Sequence, residues 1–172
     1  RYDKETSYLH SFSHAIVQLI KADRDIRLTH LEDSNANRKN VEKALATDQR
    51  TLAFFNGHGD ASTVLGHNDE PILDFDNVSL TNDKIIYSLA CDSLLLLGKE
   101  AVKKGAKAYI GYTEKFMWIG DPSKSAVPSK DKNSIPFRRV CHFLVQSLVN
   151  GTSVENTIEK TRDEYRKLIK NY

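Results

Sequence analysis

Two short apolar segments each run directly into a chemically active side chain, and they constrain the fold more than any other feature of the sequence. The segment 52–56 is apolar except for its last residue and leads to His58, which has a glycine on either side. The segment 85–89 is apolar or aromatic except for one serine and leads to Cys91. Apolar runs of this length are typical of strands buried on both faces of a parallel sheet. We therefore expect two neighbouring parallel strands that bring His58 and Cys91 side by side at one sheet edge.

Helical and strand-like patterns alternate along the rest of the chain. The pattern predicts helices at 7–22, around 41–45 with Ser34 or Asn35 as the cap, at 94–104 closed by Gly105, at 137–148, and at 154–169 after a capping box of Thr152 and Glu155. The predicted strands are 26–31, 51–56, 85–89 and 107–113, with short hairpin strands at 64–65 and 72–75. The order strand, helix, strand predicts an α/β fold with a mainly parallel central sheet and helices on both faces.

The length of 172 residues fits one domain, so we treat residues 1–172 as a single domain. The chain opens on a helix, whereas a sheet with right-handed crossovers ordinarily begins with a strand. We therefore expect a further strand upstream of Arg1.

Composition excludes several classes of protein. Lys and Arg number 25 and Asp and Glu 23, so the sequence has no basic excess of the kind that binds nucleic acid. The longest apolar run, 94–97, is far shorter than the roughly 20 residues of a membrane span. Two cysteines are too few for a disulfide framework, which favours a reducing compartment, and we expect the protein to act in the cytoplasm.

The pairing of a thiol with an imidazole suggests nucleophilic chemistry. Histidine can remove the proton of a nearby thiol and later return a proton to a leaving group. The backbone N–H groups of Gly59 and Cys91 are candidates to hold the oxyanion of a tetrahedral intermediate. We also expect Cys91 to lie at a helix N-terminus, where the helix dipole favours a thiolate.

Other uses of these residue types fit less well. Cys141 lies on an apolar helical stripe and is interpreted as a core residue. A metal site would need ligand pairs at a characteristic spacing, such as Cys-x-x-Cys, and the sequence has none. We therefore expect no metal and no cofactor.

At these residues the chain resembles the clan CD cysteine peptidases, which share the caspase-like fold. Their two signatures are a hydrophobic strand ending in His-Gly and a second ending in Ala-Cys, matched here at 54–59 and 85–91. Within that clan the chain most resembles the bacterial CHAT domains, which are related to separases and gingipains. The CHAT pattern of nucleophile, helix, next strand and closing helices is matched at 88–93, 97–101, 105–111, Asp121, Phe137, Leu144 and 151–154. One departure is that the tryptophan expected directly after Thr113 is absent, and Trp118 lies five residues further on.

The resemblance implies a three-layer caspase-like fold and an endopeptidase with a Cys-His dyad. By carry-over, Cys91 is the nucleophile, His58 is the general base and acid, and Gly59 with Cys91 donates to the oxyanion. The missing first strand of that fold is the one expected upstream of Arg1. Relatives act in bacterial antiviral defence or regulated cell death, so a protein substrate such as a gasdermin-like effector and a regulatory sensor domain or subunit are implied partners.

Substrate specificity is the least defined part of the sequence. We expect the loop 114–134 to bind substrate or to move, and Trp118 to line a pocket. Asp60, Asp92 and Asp121 are candidate partners for a basic P1 side chain, although each carboxylate has a simpler interpretation as a solvated or capping group. A second hypothesis is a catalytically silent caspase-like module that binds a partner as a scaffold.

Overall fold

The chain forms two compact units. A computed structural model describes residues 3–47 and 51–170. Among these residues, one unit spans 29–117 and the other contains 3–28 and 118–170. The helices are α1 (Lys4–Lys21), α2 (Arg38–Leu45), α3 (Leu97–Lys103), α4 (Ile135–Val149) and α5 (Val154–Lys170), and the strands are β1 (Leu52–Asn56), β2 (Val64–Leu65), β3 (Pro71–Leu73), β4 (Ile85–Leu89) and β5 (Ala108–Ile110).

A three-stranded parallel sheet in the order β1-β4-β5 organises the first unit. β1 pairs with β4 from Leu52 opposite Ile85 to Asn56 opposite Leu89, and β5 pairs on the other side with Ala108 opposite Ile85. The central strand β4 is buried along nearly all of its length, as an apolar run in a parallel sheet should be. The prediction of an α/β fold with neighbouring parallel strands at 51–56 and 85–89 is confirmed.

An aromatic pair fixes the register of these two strands. Phe54 and Tyr87 lie opposite one another, and their rings stack with centroids 4.9 Å apart and planes 9° apart. Cross-strand aromatic pairs contribute on the order of 0.5–1 kcal/mol. A slip of one residue would break this pair, so it helps to hold the ends of β1 and β4 level.

The remaining elements of the first unit cover the sheet and the hairpin. β2 and β3 form an antiparallel hairpin close to the predicted position. α2 packs against β3, and α3 packs against β5. The cap of α2 is Asn37, whose side chain accepts a hydrogen bond from the N–H of Asn40 at 3.0 Å. Capping by Ser34 or Asn35 is therefore wrong, because both lie in a 3₁₀ turn that precedes the helix.

Two strand predictions fail in extent. Residues 26–31 are in neither helix nor strand; three of the six are exposed and none is fully buried. β5 is shorter than the predicted strand 107–113 and covers only Ala108–Ile110.

The second unit contains α1, α4 and α5, with α4 packed against both of the others. Most of the predicted apolar stripes of α1 and α4 is buried, including Phe12 and Cys141, but Leu19 of the α1 stripe is 47 % exposed. Gly151 ends α4 with φ +78, as predicted. The hydroxyl oxygen of Ser153 accepts the N–H of Asn156 at 3.3 Å, so Ser153 rather than Thr152 caps α5. No helix in the described part of the chain is long and apolar enough to cross a membrane.

Candidate active site

The ends of β1 and β4 bring the two predicted catalytic residues to the same sheet edge. The last paired residues are Asn56 and Leu89, and His58 and Cys91 each lie two residues beyond them. The pairing continues past the strands, since the N–H of Gly57 donates to the carbonyl of Leu89 at 3.3 Å. His58 and Cys91 are both half-buried, so both are open to a substrate.

The β2–β3 hairpin holds the backbone around His58. The carbonyl of His58 accepts the N–H of Leu65, and the N–H of Asp60 donates to the carbonyl of Thr63, both at 2.9 Å. These two bonds flank an isolated antiparallel bridge in which Gly59 faces Val64. In such a pair the two facing residues do not bond to each other, so the N–H of Gly59 points away from Val64.

Gly59 also touches the segment that carries Cys91. A Cβ atom added at Gly59 would lie 2.9 Å from the Cβ of Ala90 and 2.7 Å from the carbonyl oxygen of Thr63. Real Cβ atoms essentially never approach this closely, so only glycine fits without a backbone shift. The His-Gly segment and the Ala-Cys segment are therefore in direct contact.

Two backbone donors remain unused where these segments meet. Within residues 3–47 and 51–170, the N–H groups of Gly59 and Cys91 donate no hydrogen bond. Backbone N–H groups in folded proteins are nearly always paired with protein or water. These two free donors are able to donate hydrogen bonds to a carbonyl oxygen or an oxyanion.

A turn rather than a helix follows Cys91. Residues 91–96 form turns, and Asp92 adopts φ +56. The N–H of Asp92 donates to the carbonyl of Glu114 at 3.3 Å, and that of Leu94 to the carbonyl of Tyr112 at 3.0 Å. The carbonyl of Ala61 accepts from the N–H groups at 96 and 97. The loops that follow β1 and β5 thus both hold the Cys91 turn.

The helix expected at 94–104 begins only at Leu97. The effect of a helix dipole falls off within the first turn of the helix. Because Cys91 lies six residues before Leu97, the predicted activation of its thiol by a helix N-terminus is wrong.

The predicted substrate acids have different surroundings. The carboxylate of Asp60 accepts bonds from the N–H and the hydroxyl of Ser62, at 2.7 and 2.9 Å. The carboxylate of Asp121 accepts the N–H of Ser123 at 2.9 Å and begins a 3₁₀ turn. Both therefore cap local turns. The carboxylate of Asp92 has no hydrogen bond or ion pair to any described residue.

Trp118 and Asp121 belong to the second unit, where their loop is organised around a buried carboxylate. Asp131 is 1 % exposed and accepts bonds from the Tyr8 hydroxyl at 2.5 Å and the Asp121 N–H at 2.7 Å. The Trp118 ring packs 5.6 Å from that of Tyr8. The region 114–134 has no strand or α-helix, as predicted, but carries three 3₁₀ turns. Sequence reasoning missed Asp131, although an aspartate two residues before Asn133 in a turn is a known capping signal.

Among residues 3–47 and 51–170, no three His, Cys, Asp or Glu side chains gather in a way that would hold a metal ion. The candidate site therefore consists of the contacting backbone segments at the ends of β1 and β4, one thiol and one imidazole.

No protein-family model, no curated protein and no solved structure matches this chain.

Proposed function

We propose that the protein is a cysteine endopeptidase that uses a dyad of Cys91 and His58. The observation that carries the proposal is the direct contact of the His-Gly and Ala-Cys segments, where the N–H groups of Gly59 and Cys91 are both unused. Free donors at such a junction are needed by acyl transfer and have no role in an inert core cysteine.

The proposed reaction has two halves. His58 takes the proton of the Cys91 thiol, and the sulfur attacks the carbonyl carbon of the scissile peptide bond. The resulting oxyanion accepts hydrogen bonds from the N–H groups of Gly59 and Cys91. Collapse of the intermediate expels the amine, which takes its proton from His58, and leaves a thioester on Cys91. Water then attacks the thioester with His58 as base, releasing the acid product and the free thiol.

Further features of the proposal follow from the resemblance to clan CD peptidases. They are a three-layer caspase-like arrangement of the CHAT type, a protein substrate such as a gasdermin-like effector, and control by a sensor domain or subunit. A cytoplasmic location suits a thiol nucleophile, because thiols remain reduced there.

The test is labelling with a peptidyl acyloxymethyl ketone, read by intact-protein and peptide mass spectrometry. We expect one adduct, on Cys91, and at least about a hundredfold slower labelling in His58→Ala, because the base that generates the thiolate is lost. Cys141→Ser is the matched control. Cys141 is 1 % exposed in α4, so this variant should be labelled at the wild-type rate.

The same variants separate the two hypotheses. Equal labelling of wild type and His58→Ala would contradict the dyad. If neither labelling nor cleavage of a P1-varied peptide library occurs with the wild type, the endopeptidase proposal is wrong and the scaffold hypothesis is favoured.

A further inference from the structure

We propose that Ser93 is a positioning residue that aims the N–H of Cys91 at the substrate carbonyl. The inference rests on the proposed peptidase function and identifies what sets the direction of one oxyanion donor. Ser93 is fully buried, and its hydroxyl donates to the carbonyl oxygen of Ala90 at 3.2 Å. Ser93 lies inside the matched range 88–93, but the sequence pattern assigned it no role.

The link between Ser93 and the oxyanion donor is covalent geometry. The carbonyl of Ala90 and the N–H of Cys91 belong to one peptide group, which is planar and trans. In a trans peptide the C=O and N–H bonds point in opposite directions. A hydrogen bond that holds the Ala90 carbonyl toward Ser93 therefore holds the Cys91 N–H away from Ser93, where it donates to no described residue.

The turn needs such a restraint because its backbone is strained. Asp92, between Cys91 and Ser93, has φ +56, a conformation that costs a non-glycine residue about 1 kcal/mol. The hydrogen bond from the Ser93 hydroxyl to the Ala90 carbonyl closes a loop that contains Asp92, and so restrains the backbone on both sides of it. Without the hydroxyl, the peptide between Ala90 and Cys91 has a route to rotate and relieve the strain.

The ring of Tyr109 in β5 packs beside Ser93. A Cβ atom added at Gly98 would lie 2.6 Å from the Tyr109 ring, and one at Gly111 would lie 2.9 Å from the ring and 3.0 Å from the Ser93 hydroxyl. Both glycines thus make room for a ring that packs beside Ser93. Burial raises the pKa of Tyr109, so its hydroxyl stays protonated.

Ser88 provides a matched control. It is a fully buried serine in β4, three residues before Cys91, and its hydroxyl oxygen has no hydrogen-bond partner among the described residues. Ser88→Ala and Ser93→Ala therefore remove the same atom at the same burial. Only Ser93→Ala removes a bond to the peptide that carries the Cys91 N–H.

The experiment compares these two variants with the wild type by three measurements. In Ser93→Ala we expect kcat and kcat/KM for a cleaved peptide to fall together by about 10–100-fold, since the lost interaction acts in the transition state. Alkylation of Cys91 by iodoacetamide should stay within about twofold, because displacement at a saturated carbon forms no oxyanion. The residual dipolar coupling of the Cys91 amide should change in Ser93→Ala, and Ser88→Ala should match the wild type in all three.

An unchanged kcat, an unchanged Cys91 dipolar coupling, or equal losses of turnover and alkylation in Ser93→Ala would each overturn the inference. Failure of the peptidase proposal has a different signature, which is a wild type that neither cleaves peptides nor labels at Cys91. In that case the dipolar coupling still decides whether Ser93 directs the Cys91 N–H.

Discussion

Of the three candidate acids, Asp92 is the best placed to bind a substrate side chain. It follows Cys91 directly, and its carboxylate has no partner in the described part of the chain, whereas those of Asp60 and Asp121 cap turns. A half-buried carboxylate beside the proposed nucleophile is able to pair with a lysine or arginine at P1. Of the three candidate partners for a basic P1 side chain, we therefore propose Asp92.

Replacement of Asp92 by asparagine removes the charge and keeps the backbone, because asparagine tolerates positive φ nearly as well as aspartate. We expect kcat/KM for peptides with Lys or Arg at P1 to fall about 10–100-fold, and that for neutral P1 residues to change less than about threefold. A P1-varied peptide library measures both. Asp60→Asn is the control and should leave the P1 profile unchanged, and an unchanged profile in Asp92→Asn would exclude Asp92 as the P1 partner.

The positions of residues at the strand ends could be predicted from the sequence, whereas the turn after Cys91 could not. His58 and Cys91 follow apolar runs that end where the strands end, so pattern and structure coincide. The run 94–97 continues a helical pattern, yet the helix starts at its last residue. The positive φ of Asp92 and the hydrogen bonds from neighbouring loops decide that start, and these are tertiary effects that local periodicity does not contain.

At the scale of elements, the loop after Trp118 is held by one buried carboxylate. Asp131 accepts from Tyr8 of α1 and from two backbone N–H groups, those of Asp121 and Asn133. Burial alone would raise the pKa of Asp131, but these hydrogen bonds together lower it. Burial and the neighbouring Asp131 carboxylate raise the pKa of Tyr8 to about 12. Asp131 is therefore charged and Tyr8 is its donor at neutral pH.

Loss of this charge should destabilise the second unit. Asp131→Asn exchanges an acceptor-only group for one that brings two unwanted donors, and we expect a loss of about 2–3 kcal/mol in the free energy of unfolding. Urea unfolding followed by the fluorescence of Trp118, the only tryptophan, reports on this loop. Asp163→Asn is the control, because Asp163 is 53 % exposed in its pair with Arg166 and should cost less than about 1 kcal/mol. Similar losses in the two variants would contradict the assigned role of Asp131.

Among the elements, amphipathic helices were predicted best, because the spacing of apolar residues along the chain shows which side of a helix is buried. Most of the predicted stripes of α1 and α4 is buried, although Leu19 of α1 is 47 % exposed. In α5, Thr157 and Thr161 are buried, whereas Ile169, which lies on its apolar stripe, is 75 % exposed. α5 packs mainly on α4. Spacing therefore predicts a helix better than it predicts what covers each of its residues.

At the scale of the whole molecule, each unit contains titratable groups whose pKa differs from its ordinary value. In the first unit, Arg38 binds Asp74 through two bonds of 2.6 and 3.0 Å, and these lower the pKa of Asp74. In the second, Asp131 has a lowered pKa as well. Burial lowers the pKa of His142, whose Nε2 donates to the carbonyl of Phe12 at 2.9 Å. All three shifts have the same sign.

A group whose pKa is lower in the folded protein stabilises the fold above its unfolded pKa and loses this contribution as the pH falls. For His142 the unfolded pKa is about 6.5, and for aspartate it is about 3.9. We therefore expect stability of the second unit to begin to fall below about pH 6.5, because protonation of His142 adds a buried charge. Below about pH 4 the second unit should lose further stability as Asp131 accepts a proton, and the first unit should begin to lose stability as Asp74 does.

Native-state hydrogen exchange measures this in each unit separately, with amides of β4 as reporters for the first and amides of α4 for the second. In the wild type we expect protection in α4 to decline in two steps, below about pH 6.5 and again below about pH 4, and protection in β4 to decline in the lower step. His142→Gln keeps a donor toward Phe12 without a titratable ring, so it should abolish the upper step in α4. Asp74→Asn should flatten the lower step in β4, because the carboxylate that binds Arg38 no longer titrates. An upper step that persists in His142→Gln would show that another group titrates there, and an unchanged lower step in Asp74→Asn would show that the Arg38 pair contributes little to stability.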